Sequence, residues 1–315
     1  MIFFGQEDEA NRSCQNHQFA SVPMAGSGLA DQPRSAAFPC QRRALVWMAA
    51  LVWGCAPEPE STQAIAVVSV LPHAYFVESI AGDKVRVEVM IPPGASPATY
   101  EPTVEQLKAL AAADLYVKVG HPHFAFERAW LGWLVAENPD LRVVNSSEGA
   151  RSNESDPHVW LSPRLAARMA RNIAGALAAI LPEGRDVFDG NLRAFLKEIE
   201  ALDADLRRAF EGKSGKRIYV FHPAWGYLLE EYGLEQVAIE QGAKEPGVRS
   251  LRQLIRQARG DGVKVIFVQP QFSRQSADLI AGELGVAVEV VDPLARDWLD
   301  NLKRVGGAFG RALDR

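Results

Sequence analysis

Three cysteines in 315 residues leave little room for disulfide chemistry. Cys14 and Cys40 both lie in the first 41 residues, so the rest of the chain keeps only Cys55 and cannot close an internal disulfide. Long apolar runs are also missing. The run Ala44–Trp53 near the front has ten residues, whereas a membrane-spanning helix needs about 20. Basic patches dense enough for nucleic acid are absent, and the net charge is −5. The nucleophile-elbow pattern GxSxG and the zinc-protease pattern HExxH do not occur. Gly212–Lys213–Ser214 looks like the tail of a phosphate loop, but Arg207 stands where that motif needs its first glycine, and a helix precedes it instead of a strand.

What is present begins at Arg42–Cys55, RRALVWMAALVWGC. Two arginines, a short apolar stretch, then a small residue and a cysteine have the n-region and h-region of an export signal. The end resembles a bacterial lipoprotein signal with Val52–Cys55 as its cleavage box, which implies that Cys55 becomes a lipidated first residue. Residues 1–41 are polar and irregular, and are excluded from the fold. Ala56–Gln63, APEPESTQ, reads as a flexible tether.

From Ile65 onward the pattern is regular. Apolar, β-branched runs at Ile65–Val70, Lys84–Met90, Leu115–Val119 and Leu141–Val144 predict strands, with helices at Tyr75–Ile80, Thr103–Ala113 and Phe126–Asn138 between them. Trp130 and Trp133 of the third helix are expected in the core. Ser162–Pro163 then supplies an N-cap and a first-turn proline for a long helix with Leu165, Met169, Ile173, Leu177 and Leu181 in one stripe. A second helix carries Phe188, Leu192, Phe195, Ile199, Leu202, Leu206 and Phe210. Alternation then resumes, with strands at Arg217–Phe221, Val237–Ile239, Val263–Val268 and Val286–Val291, and a last helix from Trp298. The fold class is α/β, with two parallel-sheet lobes separated by a helical middle.

Six histidines are present, and the five beyond the leader all fall at strand ends or a helix start. His73 follows the first strand, His121 and His123 the third, and His158 precedes the long helix. His222 follows the strand Arg217–Phe221, where Pro223 blocks continuation. Asp292 and Gln269 also follow strands. Open parallel sheets keep ligand sites at the carboxyl ends of their strands, so two facing lobes would gather these groups in one cleft. Imidazoles and a carboxylate converging there suit a divalent cation such as zinc. Equally, a histidine after a strand is ordinarily a loop residue, and Asp292 before Pro293 is a common turn start.

A resemblance narrows these alternatives. Pro92–Pro102 (PPGASPATYEP), Asp156–Pro163 (DPHVWLSP), His222–Tyr227 (HPAWGY), Lys244–Pro246 (KEP), Val268–Ser273 (VQPQFS) and Val291–Leu294 (VDPL) occur in that order. As a set they resemble the periplasmic metal-binding proteins of zinc and manganese ABC importers, a TroA/ZnuA-like family, over Ile65 to the C-terminus. The resemblance implies two α/β lobes bridged by one long rigid helix, with the metal in the cleft between them. Its domain limits are 1–54 leader and signal, 55–63 tether, 64–161 first lobe, 162–182 linking helix and 183–315 second lobe.

His158, His222 and Asp292 match three of the family's ligands. The fourth is a histidine before TYEP, and here that place holds Ala98. His73 is the favoured replacement, with His123, Glu101, Glu245 or a water as the others. No histidine-rich loop is present, which weighs on zinc specificity. The implied function is a lipid-anchored, extracytoplasmic solute-binding protein, monomeric and not an enzyme. It would capture Zn²⁺ and deliver it to the permease of an ABC importer, without nucleic acid as a partner. The rivals are the same scaffold serving Mn²⁺ or Fe²⁺, a zinc-dependent hydrolase with Glu101 or Glu245 as base, and a surface adhesin.

Overall fold

The computed structural model describes residues 63–314 apart from 151–154, 241–247 and 273. The signal box, Cys55, most of the tether, and Glu245 lie outside the described residues. The described residues all belong to one compact unit.

Two four-stranded sheets make up the frame. The first contains β1 (Ala64–Val68), β2 (Val85–Val89), β3 (Leu115–Lys118) and β4 (Arg142–Asn145) in the order β2-β1-β3-β4. The second contains β5 (Arg217–Val220), β6 (Glu235–Ala238), β7 (Val265–Val268) and β8 (Ala287–Val290) in the order β6-β5-β7-β8. Every pairing is parallel. The two lobes therefore repeat one topology. The inner strands explain the sequence pattern: residues 66–68 of β1 and all of β7 are buried, so both read as unbroken apolar runs.

The helices are α1 (Leu71–Ala81), α2 (Val104–Ala111), α3 (Ala125–Ala136), α4 (Pro163–Ile180), α5 (Arg185–Ala209), α6 (Gly226–Glu231), α7 (Val248–Gly260), α8 (Arg274–Leu284) and α9 (Trp298–Asp314). Thr103 caps α2 through a full capping box with Gln106. Ser162 caps α4, accepting from the Leu165 N–H at 3.1 Å, with Pro163 in the first turn.

Three local expectations change. α1 starts at Leu71 instead of Tyr75, because Pro72 is already suited to a first helical turn; His73 thus sits inside the helix and not in a loop. Trp133 is 48 % exposed, and Trp130 only packs against the edge of the core. The buried positions of α3 are Phe126, Glu127 and Leu134 instead. The long connection is also distributed differently. α4 fills the expected linking span but packs on α1, β3 and β4 of the first lobe. The longer α5 has 25 residues, about 37 Å of helix, and touches both α1 and the second-lobe helix α9.

An aromatic cluster joins the lobes at this junction. Trp298 of α9 meets Phe76 of α1 edge-on at 4.9 Å, and Phe195 of α5 lies 5.3 Å from Phe76. Two indole hydrogen bonds add direction: Trp298 Nε1 donates to the Trp160 carbonyl at 2.8 Å, and Trp160 Nε1 donates to the Pro293 carbonyl at 2.7 Å. Arg296 pairs with Glu78 across the same boundary.

Candidate metal centre

In each sheet the strand order reverses between two inner strands, β1 and β3 in one lobe and β5 and β7 in the other. Crevices form outside the carboxyl ends at such points. In the second lobe His222 follows β5 and Gln269 follows β7. The two are clipped reciprocally: His222 N–H donates to Gln269 Oε1 at 3.1 Å, and Gln269 Nε2 donates to the His222 carbonyl at 2.9 Å. The backbone beneath His222 is thereby held on both sides.

The side chain is held as well. His222 Nδ1 lies 2.6 Å from Oε2 of Glu240, a buried carboxylate just beyond β6, and its ring stacks on Phe272 with centroids 4.7 Å apart. His158 repeats the device. Its Nδ1 lies 2.8 Å from Asp156 Oδ1, and the same oxygen accepts the His158 backbone N–H at 2.9 Å. Burial lowers the His158 pKa below the ordinary imidazole value, against the opposing pull of Asp156. With a carboxylate accepting at Nδ1, the neutral imidazole carries its proton there and leaves the lone pair on Nε2.

The two rings stand 5.3 Å apart, centroid to centroid, at an interplanar angle of 80°. Two imidazoles sharing one tetrahedral zinc at N–Zn distances of about 2.0–2.1 Å have centroids roughly 5 Å apart. The pair therefore has the spacing that a shared ion requires, and each member has the carboxylate partner that metal-bound histidines ordinarily carry.

The other sequence-predicted groups stand apart from this pair. Among the described residues, no three His, Cys, Asp or Glu side chains are grouped so as to hold a metal. Asp292 Oδ1 accepts from Gln271 Nε2 at 2.8 Å and from the Leu294 N–H at 2.9 Å, within a turn tied to Trp160 through Pro293. His73 is fully buried, with Nε2 3.3 Å from Ser146 Oγ and its ring 6.4 Å from Trp160. Burial drives its pKa down to about 3, so it is neutral at any physiological pH. His123, Glu101 and Ala98 are exposed.

His121, not assigned as a ligand from sequence, is a buried imidazole of the first lobe whose Nδ1 accepts from the His123 N–H at 3.2 Å. Its loop is anchored from below: the Val119 and Gly120 N–H groups donate to buried Glu127 at 2.5 and 2.9 Å, and Ser69 Oγ donates to the same carboxylate at 2.6 Å. Phe124, at the end of that loop, packs on Trp160 at 6.1 Å, and His158 packs on the same indole at 5.4 Å. Only the HPH triplet after β3 signalled this residue in the sequence, and it does not separate His121 from His123.

Twin parallel α/β lobes joined by a long helix, with oriented imidazoles at a strand-end crevice, define a two-lobed solute-binding protein. The chain belongs to the family described as zinc-uptake complex component A, periplasmic, whose sequence profile matches residues 66–306. It is 30% identical over 247 residues to the high-affinity zinc uptake system protein ZnuA of Bacillus subtilis, covering 72% of this chain and 77% of that one. A crystal structure of ZnuA superposes with a TM-score of 0.76 at 40% identity, covering 79% of this chain and 99% of the other. A zinc-bound ZnuA deletion mutant gives 0.74 at 40% identity, covering 79% and 97%.

Proposed function

We propose that this chain captures Zn²⁺ outside the cytoplasmic membrane and passes it to the permease of an ABC importer, without performing chemistry on it. The observation that carries this reading is the His158–His222 pair, each ring oriented by its own carboxylate and spaced for one ion. The pair is the fixed half of the site. Asp292 completes it from the second lobe by exchanging its Gln271 and Leu294 hydrogen bonds for the cation. The first lobe supplies the remaining ligand. His121 has in its favour a loop that packs through Phe124 on Trp160, the indole that His158 also touches, and His73 is the rival, since binding through it would draw a fully buried ring away from Ser146. Cys55 carries the lipid that keeps the monomer at the membrane surface, and residues 64–161 and 183–315 act as the two lobes.

Calorimetric titration of the metal-free protein tests this. Zn²⁺ is expected to bind at micromolar concentration or below, and Mn²⁺ to compete only weakly, as the order of affinities for nitrogen ligands requires. Absence of heat with micromolar Zn²⁺ would overturn the reading. Mass spectrometry of the membrane-derived protein tests the acyl modification of Cys55 separately.

A further inference from the structure

We propose that the outer face of α7 is a docking surface for the phosphate headgroups of an anionic lipid bilayer. α7, VRSLRQLIRQARG, contains four arginines and no acidic residue. Arg249, Arg252, Arg256 and Arg259 follow at intervals of three, four and three, which places them in one row about 15 Å long. All four are exposed, as are Gln253 and Gln257 beside them. The opposite face is committed to the fold: Ala258 is buried, and Leu251, Leu254 and Ile255 pack on the second sheet.

Among the described residues no carboxylate pairs with any of these guanidinium groups; Arg259 donates instead to the Glu283 carbonyl at 2.8 Å. In a chain of net charge −5, a row of one sign with no carboxylate partner among the described residues is a local feature and not a reflection of composition. Guanidinium groups bind phosphate oxygens in a bidentate fork. A protein partner would require an apolar centre to bury, and the exposed positions from 249 to 259 offer only arginine and glutamine. A headgroup layer needs no such anchor, because basic residues near an anionic surface bind it by charge alone. The inference does not rest on the zinc reading, and it holds whether or not Cys55 carries lipid.

The test uses the full chain as Cys55→Ser, so that acylation cannot contribute, in co-sedimentation with vesicles. One set is phosphatidylcholine alone; the other contains about one-third phosphatidylglycerol. Binding to the anionic set only is expected, falling steeply between about 0.05 M and 0.5 M salt. The variant with all four arginines changed to glutamine should bind at least about fivefold less, with an unchanged thermal midpoint and circular dichroism spectrum as proof of fold. Arg252→Gln with Arg256→Gln serves if the fourfold variant misfolds, and should give an intermediate loss. Equal binding by parent and variant would overturn the proposal. So would failure of the parent to bind the anionic vesicles; loss of ATP hydrolysis by the importer in neutral lipid on adding the variant in place of the parent would then give the face to an acidic protein surface.

Discussion

The imidazoles of His158 and His222 lie 5.3 Å apart, centroid to centroid, and each donates its Nδ1–H to a separate carboxylate, Asp156 and Glu240. One ring belongs to the segment before α4 and the other to the loop after β5, so the pair spans 64 residues of chain. Its consequences are open to measurement.

His158→Ala and His222→Ala should each weaken Zn²⁺ binding well over tenfold. Asp156→Asn and Glu240→Gln leave both imidazoles in place but remove what orients them, and should cost roughly 10- to 100-fold. Calorimetry on the four variants separates the classes. A Glu240→Gln protein with parental affinity would show that the carboxylate is a packing feature only.

His121→Ala and His73→Ala distinguish the two candidate first-lobe ligands. The His121 variant should lose more than tenfold in affinity; its ring is buried too, so the affinity loss and not the thermal midpoint identifies it as the ligand. The His73 variant should lose folding stability, because its ring fills a fully buried seat among Phe76, Trp160 and Ser146. The reverse pattern would assign the ligand to His73.

Trp160→Phe removes the indole bond to the Pro293 carbonyl and leaves that buried acceptor unpaired, at a cost of about 1–3 kcal/mol. Because the same bond tethers the turn holding Asp292, zinc affinity should fall as well. Urea unfolding and calorimetry on one preparation read both effects.

The fold should lose stability in acid through His73. Its folded pKa is about 3, whereas the unfolded chain takes up the proton near 6.5. Between those values the unfolded state binds more protons, so the contribution is complete above about pH 6.5 and declines as pH falls toward 3. In metal-free protein, His73→Gln should reduce the pH dependence of the urea midpoint across this window by about one proton.

Gly120 has φ +78°, and a Cβ there would fall 1.7 Å from Asn145 Oδ1. Gly120→Ala should therefore destabilise the first lobe by more than about 1 kcal/mol and loosen the loop carrying His121. Thermal unfolding together with zinc titration would register both losses.

Much of this was legible along the chain. β1 and β7 announced themselves as inner strands through unbroken β-branched runs, and Ser162–Pro163 marked the start of α4. His222 before Pro223 at a strand end pointed to the crevice directly. Other features were not legible. Trp133 looks like core in composition, but its exposure follows from which side of α3 is turned inward, the side of Phe126 and Leu134. His73 looks like a loop ligand until Pro72 is seen to open a helix beneath it. Glu240 and Asp156 carried no local signal, since a carboxylate becomes an orienter only when an imidazole arrives beside it.

Residue order alone determined the alternation of strands and helices, the parallel sense of both sheets and the positions at which polar groups leave them. These follow from short-range periodicity and from proline and capping chemistry, which act within a few residues. Tertiary structure alone decided that β5 lies beside β7, that α5 touches both lobes, and that His158 meets His222 while His73 turns inward to Ser146. Those outcomes depend on how separate apolar faces pack together, and no local stretch of sequence contains that information.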